Sequence, residues 1–438
     1  MKASIPLTNR KRVVIIGGGF GGIKLAKSLR KSPFQVVLLD KNNFHTFQPL
    51  LYQVATGGLE PDSVAFPLRK IFRGQDNFVF RIAEVHHISA EAKEIDTSIG
   101  CIDYDYLVLA TGSASHFFGM DQVEKHSFGL KDVAEAVDLR SLVLQNFERA
   151  LLEKDPEVRS RLMQFVVVGG GPTGVEMAGA LAELKRHVLP NDYPELDLRQ
   201  MEVHLIEAGP QVLGAMSEQS QKNGKKALEK MGVHLWMNTF VEDYDGEKVK
   251  TKDGPIFETY VVLWAAGIKG SVPSGIEAEH VGPGYRIRVD SFNSVVGLTD
   301  VYALGDVAYM ETEPYPKGHP QVAPVAIQQA ANLAKNLIAA EKSKQTKPFS
   351  YFDKGSMATV GRNKAVVDFK GFHLKGIFAW LAWMFVHLLF LIGFRNKLIV
   401  LMNWVYSYFT YDKGSRIIIR PFYRTRYKKP KMDLELKK

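Results

Sequence analysis

Cysteine is nearly absent from this sequence, which has a single one, Cys101, among 438 residues. A lone cysteine excludes an intramolecular disulfide and any redox pair of the CxxC or CxxxxC type. Enzymes that pass electrons through a cysteine pair, or through sulfur held on cysteines beside a flavin, are therefore excluded as well.

A long apolar leader is also missing. Residues 1–12 hold several basic side chains, but the short apolar run at residues 13–16 leads straight into glycines. We therefore expect no signal peptide, and we expect the body of the protein to lie in the cytoplasm. The length of 438 residues predicts two or three domains.

Positive charge is concentrated at the C-terminal end. The formal net charge is +9, and residues 372–438 contain 13 Lys and Arg against 3 Asp and Glu. The preceding chain is close to neutral, so the basic character belongs to the tail. Nothing in this distribution indicates nucleic-acid binding, and we expect no metal site.

Two segments of the chain repeat one pattern. Residues 13–22 and residues 165–174 each contain a β-branched run followed by GxGxxG, and each leads into a helical pattern. Each unit then reaches an apolar strand that ends in an acid, Asp40 in the first and Glu207 in the second. A single glycine motif also occurs in ordinary turns, but the repeated strand, turn, helix, strand and acid predict two dinucleotide-binding βαβ units.

The two acids indicate which nucleotides bind. A carboxylate at this position accepts hydrogen bonds from a ribose diol and repels the 2′-phosphate of NADPH. No arginine follows Glu207 in the residues Ala208, Gly209 and Pro210. The sequence therefore favours NADH over NADPH, with a solvated strand end as the alternative interpretation of Glu207.

Two further strand ends indicate a flavin at the first site. Residues 106–112 form an apolar run ending in Ala-Thr-Gly, and residues 301–306 form another ending in Gly-Asp. Small residues at strand ends permit close approach of a cofactor, and an acid can bind its hydroxylated side chain. The alternative for each segment is an ordinary corner between a strand and a helix.

Taken in order over residues 12–335, these segments resemble the flavoproteins with two dinucleotide-binding domains, which bind FAD at the first fold and NAD(P)H at the second. Within that group, three segments resemble the type II NADH:quinone oxidoreductases. They are NFHTFQPLLYQVATGG at residues 43–58, GVE at 174–176 and WAAG at 264–267. The basic, aromatic tail is similar to theirs as well.

The resemblance implies a set of binding residues. For noncovalent FAD they are Gly17, Gly19, Phe20, Gly21, Gly22, Asp40, Lys41, Gln48, Ala110, Thr111, Gly112, Gly305, Asp306 and Ala326. For NADH they are Gly169, Gly171, Pro172, Thr173, Gly174, Glu176, Glu207, Ala266 and Gly267. For quinone they are Gln53 and Gln328.

Two of these residues are catalytic candidates. Glu176 would orient NADH or help a proton to reach the quinone, whereas its alternative role is that of a helix N-terminal acid favoured by the macrodipole. The family usually has AQxAxQ where residues 323–328 read APVAIQ, so Pro324 replaces the first glutamine and Gln328 keeps the second. Gln328 could equally be an amide on a helix surface.

The tail is expected to bind a membrane without crossing it. The uncharged run at residues 377–394 would form a helix of about 27 Å, which is marginal for a hydrocarbon core of about 30 Å. A single crossing would also leave basic residues on the far side, against the positive-inside bias. We expect two helices in the interface, with tryptophans and tyrosines at headgroup depth and basic residues meeting anionic lipid; an apolar dimerisation surface is the alternative.

The sequence thus predicts an α/β protein with two Rossmann-like domains, similar to glutathione reductase, and a C-terminal helical membrane-anchoring region. The expected domains are an FAD domain at 1–125 and 285–345, an NADH domain at 126–284 and the anchoring region at 346–438. The expected function is that of a respiratory NADH:quinone oxidoreductase that pumps no protons, peripheral on the cytoplasmic side of the cell inner membrane and homodimeric.

Two other functions stay open at this point. One is an NADH-dependent reductase of a small electron-transfer protein such as a ferredoxin, and the other is a membrane-bound NADH sensor without turnover. Ubiquinone and menaquinone are both compatible with the sequence as acceptors.

Overall fold

The computed structural model describes residues 2–422, so Arg424, Arg426 and the other tail residues beyond Phe422 lie outside the described part of the chain. The chain forms two compact units. Unit 1 comprises the stretch that ends at Thr46 together with Ala65–His116 and Ile268–Lys354. Unit 2 comprises Phe47–Val64, Phe117–Gly267 and the stretch that begins at Gly355.

The α-helices are numbered in chain order. They are α1 Phe20–Ser28, α2 Leu51–Ala55, α3 Leu68–Ile71, α4 Asp121–His126, α5 Val133–Leu152, α6 Pro156–Leu162, α7 Pro172–Glu183, α8 Leu189–Asp192, α9 Glu218–Lys230, α10 Ala323–Glu341, α11 Gly376–Phe390 and α12 Phe394–Thr410. Short 3₁₀ segments lie at Gln48–Leu50, Pro61–Ser63, Leu198–Gln200, Ala278–His280, Pro283–Tyr285 and Gly305–Val307.

The β-strands are numbered in the same way. They are β1 Arg12–Ile16, β2 Gln35–Asp40, β3 Phe44–Thr46, β4 Ala65–Pro67, β5 Phe78–Ile82, β6 Val85–Ser89, β7 Glu94–Thr97, β8 Ile102–Asp103, β9 Tyr106–Leu109, β10 Ser113–Ser115, β11 Gln164–Val168, β12 Glu202–Glu207, β13 Val233–Met237, β14 Val241–Tyr244, β15 Lys248–Thr251, β16 Phe257–Glu258, β17 Val261–Trp264, β18 Ile268–Gly270, β19 Val281–Gly282, β20 Arg286–Arg288, β21 Val301–Ala303, β22 Ala308–Tyr309, β23 Ser356–Gly361, β24 Lys364–Phe369 and β25 Phe372–Lys375.

Unit 1 is built around a five-stranded parallel sheet with the strand order β21-β9-β1-β2-β5. Val13, Val14 and Ile15 in β1 are completely buried, which explains why this strand is a continuous β-branched run rather than an alternating one. Helix α1 crosses from β1 to β2 and packs beside α10. The predicted α/β fold with parallel sheets is confirmed here.

Unit 2 contains a second parallel sheet, with the order β13-β12-β11-β17. Helix α7 leaves the end of β11, as α1 leaves β1. After α7 the helical path continues through a π-helical turn, Leu184–Val188, into α8. Its Leu184, Val188 and Leu189 are buried, so this segment is part of the packed unit.

The C-terminal part of unit 2 adds an antiparallel sheet with the order β23-β24-β25. Strand β23 packs directly on helix α7. The two backbones meet at Gly179, where an added Cβ would lie 1.8 Å from the carbonyl oxygen of Val360. Because no side chain fits there, a glycine at this position permits the sheet to rest on the helix.

Helices α11 and α12 complete unit 2. Ala379 of α11 is buried against Ala365 and Val367 of β24. Helix α12 is held by amide side chains: Asn396 Nδ2 donates to the carbonyl oxygens of Asp62 and Ser63 at 2.9 and 3.1 Å, and Asn403 Nδ2 donates to Glu60 Oε2 at 2.6 Å.

The two C-terminal helices also present many apolar side chains to solvent. Those most exposed are Ile377, Phe378, Leu381, Phe385, Leu389, Phe394, Leu398, Met402, Val405, Tyr406 and Phe409. Such a large apolar area is unusual on a protein surface and indicates an interaction site. Within residues 2–422, no helix combines the length and apolar composition needed to cross a bilayer.

The contact between α7 and β23 yields a prediction for stability. Gly179→Ala should lower the melting temperature by about 2 to 10 °C, because overpacking costs about 1–3 kcal/mol and outweighs the better helix propensity of alanine. Gly414→Ala is the matched control, since an added Cβ there meets no atom within 4 Å. Thermal unfolding followed by circular dichroism measures both; equal melting temperatures would contradict the role of Gly179.

Candidate functional site

The first glycine loop, in unit 1, leaves an open face at the start of α1. Gly17 has φ +109°, and an added Cβ would lie 2.3 Å from the carbonyl oxygen of Ala110. At Gly22, an added Cβ would lie 1.9 Å from the carbonyl oxygen of Gly17. At Gly19, by contrast, it would meet no atom within 4 Å. A tightly folded turn with one open position beside a helix N-terminus fits a pyrophosphate group.

The second glycine loop, in unit 2, has the same geometry. Gly169 has φ +109°, and an added Cβ would lie 2.5 Å from the carbonyl of Ala265. At Gly174 the corresponding atom would lie 1.9 Å from the carbonyl oxygen of Gly169, while Gly171 is open. Pro172 and Thr173 begin α7, where a proline without an N–H costs nothing. The repeated sequence pattern is therefore a repeated structure.

Each loop is braced by the acid at the end of the second strand. Asp40 Oδ2 accepts a hydrogen bond from Gly18 N at 2.6 Å, and Glu207 Oε2 accepts one from Gly170 N at 2.5 Å. Their other oxygens accept from Asn42 N and Gly209 N. Burial raises the pKa of Asp40, and the two backbone hydrogen bonds partly offset it.

The remaining residues predicted to bind FAD fall into two groups. In unit 1, Ala110 lies against Gly17, Thr111 Oγ1 donates to the carbonyl oxygen of Ser271 at 2.6 Å, and Asp306 Oδ2 accepts from Ser113 Oγ at 2.8 Å. The others in unit 1 are Phe20, Gly21, Lys41, Gly112, Gly305 and Ala326. Gln48 belongs to unit 2, where its amide donates to the carbonyl oxygen of Lys131 at 3.0 Å.

One neighbour of this group was not predicted. Gln329 is buried, and its Oε1 accepts a hydrogen bond from Gly305 N at 2.7 Å. Gln328, which was predicted to bind quinone, uses its amide differently: it donates to the carbonyl oxygen of Phe352 at 2.9 Å and accepts from Phe352 N at 3.0 Å. The nitrogen and the oxygen of the Gln328 side-chain amide thus both pair with backbone inside unit 1.

Glu176 of unit 2 is a buried acid whose pKa is strongly raised. It lies on the first turns of α7, is 8% exposed, and Oε1 accepts a long hydrogen bond of 3.4 Å from Thr359 N of β23. Burial raises its pKa to about 8, while the Thr359 N–H and, more weakly, the indole N–H of Trp383 lower it. That indole finds no acceptor in hydrogen-bond geometry among residues 2–422. Glu176 is therefore mostly protonated at neutral pH.

Glu176 lines a pocket whose lining residues all belong to unit 2. Six aromatic residues line it: Tyr52, Trp380, Trp383, Trp404, Tyr408 and Tyr411. Gln53 also faces it and is held on both sides, since its Nε2 donates to Tyr52 Oη at 2.9 Å and its Oε1 accepts from Trp404 Nε1 at 2.8 Å. Flat rings around a few fixed polar groups suit a flat, apolar ligand.

A layered stack forms one wall of the pocket. The guanidinium of Arg362 lies between two tyrosine rings, 4.0 Å from the centroid of Tyr408 and 3.9 Å from that of Tyr411. The ring of His187 stacks with that of Tyr411 at a centroid distance of 4.3 Å, and the indole of Trp380 lies 5.5 Å from the ring of Tyr408 in a tilted arrangement. Cation–π and aromatic contacts thus join four separate elements of unit 2.

A basic group lies at another edge of the pocket. Lys413 Nζ donates to the carbonyl oxygen of Ala180 at 3.3 Å and lies 4.0 Å from Glu183 Oε2. Burial lowers the pKa of Lys413, and the charge of Glu183 opposes that shift.

Four residues that line this pocket were not predicted as site residues: Thr359, Arg362, Trp383 and Lys413. They lie about two hundred positions from Glu176 in the sequence, in a region whose composition indicated only membrane binding.

Residues 2–422 contain no cluster of three His, Cys, Asp or Glu side chains arranged to hold a metal ion.

Ala266 and Gly267, which were predicted to bind NADH, follow strand β17 and lie beside the second glycine loop. The candidate site of unit 2 therefore comprises a glycine loop with its bracing acid, a buried carboxyl on the helix that follows, and an aromatic pocket.

Comparison with known proteins agrees with this geometry. Residues 11–330 match the family described as pyridine nucleotide-disulphide oxidoreductase, and residues 354–411 match the NDH2 C-terminal domain. The chain is 36% identical over 437 residues to the type II NADH:quinone oxidoreductase Ndh of Mycobacterium tuberculosis, covering 95% of this chain and 92% of that protein. It is 28% identical over 371 residues to the type II NADH:quinone oxidoreductase of Staphylococcus aureus, covering 82% and 89%.

Solved structures give the same fold. The structure of NDH2 from Plasmodium falciparum in complex with NADH has a TM-score of 0.83 at 20% identity, covering 94% of this chain and 100% of that chain. The sulfide:quinone oxidoreductase of Aquifex aeolicus has a TM-score of 0.66 at 20% identity, covering 94% and 93%. The family models and the curated relatives, together with this fold, show that the chain belongs to the type II NADH:quinone oxidoreductases, within the pyridine nucleotide-disulphide oxidoreductase family.

Proposed function

We propose that this chain binds FAD at the first glycine loop and NADH at the second, and that it reduces quinone in the aromatic pocket of unit 2 without pumping protons. The observation that carries the proposal is the buried carboxyl of Glu176, which links the helix of the second loop to that pocket. When bound, FAD supplies the redox chemistry: it accepts hydride from NADH and returns two electrons to the quinone.

The chain's own groups bind and orient the reactants. The backbone N–H groups at the starts of α1 and α7 face the open glycine positions and would hold the pyrophosphates. Asp40 and Glu207 brace the loops and keep free lone pairs for ribose hydroxyls. The aromatic pocket would hold the quinone ring between flat side chains, and Gln53, fixed by two hydrogen bonds, would present its amide to a quinone oxygen.

Quinone reduction also needs protons, and Glu176 is a suitable donor. A carboxyl whose pKa is about 8 keeps its proton at neutral pH and can still release it to a quinone oxygen that gains charge. Gln328 is a weaker candidate for the quinone site than Gln53, because it belongs to unit 1 and does not line the aromatic pocket of unit 2. Its amide pairs with the backbone of Phe352 instead.

We further propose that the exposed apolar faces of α11 and α12 bind the cytoplasmic surface of the cell inner membrane. Residues 369–411 contain four Lys and Arg and no Asp or Glu. Apolar side chains beside basic ones favour an interface rich in anionic lipid. A homodimer remains part of the proposal, and dimerisation through some of these residues is the competing use of the same surface.

The flavin assignment has a direct test. Heat or acid should release free FAD from the purified yellow protein, because the flavin is held noncovalently. Gly17→Val should be isolated without flavin absorbance, since its side chain would collide with the Ala110 carbonyl, whereas Gly414→Ala should keep its flavin. Released FMN, or a normal flavin content in Gly17→Val, would contradict the assignment.

The nucleotide preference depends on Glu207. Glu207→Gln should narrow the preference for NADH over NADPH, because the repulsion of the 2′-phosphate disappears and a charged hydrogen bond to ribose is weakened. A buried hydrogen bond to a charged group is worth about 1.5–3 kcal/mol, or roughly ten- to hundredfold in kcat/KM for NADH. Unchanged kcat/KM values for both nucleotides would show that Glu207 does not bind the ribose.

The proton-donor role of Glu176 predicts a pH profile. Its raised pKa means that the carboxyl loses its proton only as pH rises through about 8, so quinone reduction should fall above that pH. Glu176→Gln should lower quinone turnover at pH 7 by roughly a hundredfold or more and abolish the alkaline limb.

Ferricyanide provides the control for this variant, because its reduction needs no proton from the protein. If Glu176→Gln lowers ferricyanide and quinone turnover equally, the residue orients NADH and donates no proton.

A second experiment compares electron acceptors. Steady-state NADH oxidation with quinones and with a ferredoxin separates the proposed function from that of a ferredoxin-type reductase, which would prefer the protein acceptor.

A further inference from the structure

The hairpin that precedes α11 ends in an exposed aromatic pair. Strands β24 and β25 are joined by Lys370 and Gly371, both with positive φ, and Phe369 pairs directly with Phe372 across this two-residue turn. Phe369 is 40% exposed and Phe372 is 61% exposed. Two adjacent phenylalanines at a hairpin tip cost solvation free energy unless something covers them.

The two faces of this hairpin have different surroundings. On one face, Asp368 accepts hydrogen bonds from Ser217 and Ser220 at the start of α9 and pairs with His373 at 2.7 Å. On the other face, Val367 and Leu374 pack with Ala379 of α11.

Side chains two residues apart on a strand share a face. Phe369 therefore lies on the face of Val367, and Phe372 on that of Leu374. Both phenylalanines therefore lie on the side of the hairpin against which α11 packs.

The charged residues of the hairpin indicate which partner covers the two phenylalanines. Lys370 lies at the turn, with its Nζ 5.8 Å from the ring centroid of Phe369. The only acid of the hairpin, Asp368, is turned to the opposite face, where its carboxylate is already bonded. Aromatic side chains with a lysine beside them fit the headgroup region of an anionic lipid surface.

We infer that the tip of the β24–β25 hairpin inserts Phe369 and Phe372 into an anionic lipid leaflet, as a contact additional to α11 and α12. This inference rests on the proposed membrane association of those helices. The hairpin is tied to α9 through Asp368, so its insertion would connect the lipid surface to the parallel-sheet part of unit 2 as well as to the C-terminal helices.

Site-specific fluorescence tests the inference on the full-length holoenzyme. In a Cys101→Ser background, a single cysteine carrying an environment-sensitive dye is placed by Phe372→Cys, by Leu398→Cys on α12, or by Phe240→Cys, an exposed apolar control 55% accessible. With vesicles that contain phosphatidylglycerol, the dye should shift to the blue and resist aqueous quencher at positions 372 and 398, but not at 240.

Vesicle binding gives a second, independent measurement. The double variant F369S/F372S should bind anionic vesicles roughly tenfold or more weakly than the unchanged protein, whereas Phe240→Ser should bind normally. Lys370→Gln should weaken binding roughly fivefold to anionic vesicles and leave binding to zwitterionic vesicles unchanged. NADH:ferricyanide turnover, which these variants should retain, reports that the protein is folded and loaded.

The outcomes separate the two proposals. A shift at 398 without one at 372, together with normal vesicle binding by F369S/F372S, overturns the hairpin contact and leaves the helices as the membrane surface. No shift at either position overturns both. A shift at 372 that appears without vesicles and grows with protein concentration assigns the hairpin to contact between copies of the chain, which also overturns the inference.

Discussion

The arrangement of unit 2 depends on one backbone contact, the approach of helix α7 to strand β23 at Gly179. Because that glycine has no side chain, the strand rests on the helix with the Val360 carbonyl directly over it. The same contact brings the Thr359 N–H to Glu176 and covers that carboxyl. The raised pKa of Glu176 is therefore a consequence of how closely a helix and a sheet pack, and a looser contact would admit water and lower it.

The two glycine loops share one local structure. In each, a strand-terminal carboxylate accepts a hydrogen bond from the N–H of the second loop residue, Gly18 or Gly170. This bond fixes the peptide between the first and second loop residues, just before the turn reaches the open glycine. The acids are thus part of the loop's structure as well as candidates for ribose recognition, and replacing either one would change both properties.

Much of the fold could be predicted because its signals are local. A β-branched run, a glycine turn and an acid lie within thirty to forty-five residues of one another, and the parallel sheets follow from them. The pocket could not be predicted, because Glu176 and Thr359 meet only through the fold. Hydrogen-bond partners were also beyond reach: the sequence could not show that Gln328 pairs with Phe352, or that Gln53 is fixed by Trp404.

The residues of the pocket wall determine the order in which the glycine loops and the complete pocket are translated. Strands β1 to β21 and both glycine loops precede residue 304, whereas Thr359, Arg362 and Tyr411 follow them along the chain and are translated later. Tyr411 adopts φ +61° at the end of α12 and closes the stack on Arg362. The two glycine loops are thus translated before the residues that complete the aromatic pocket, of which Lys413 comes last within residues 2–422.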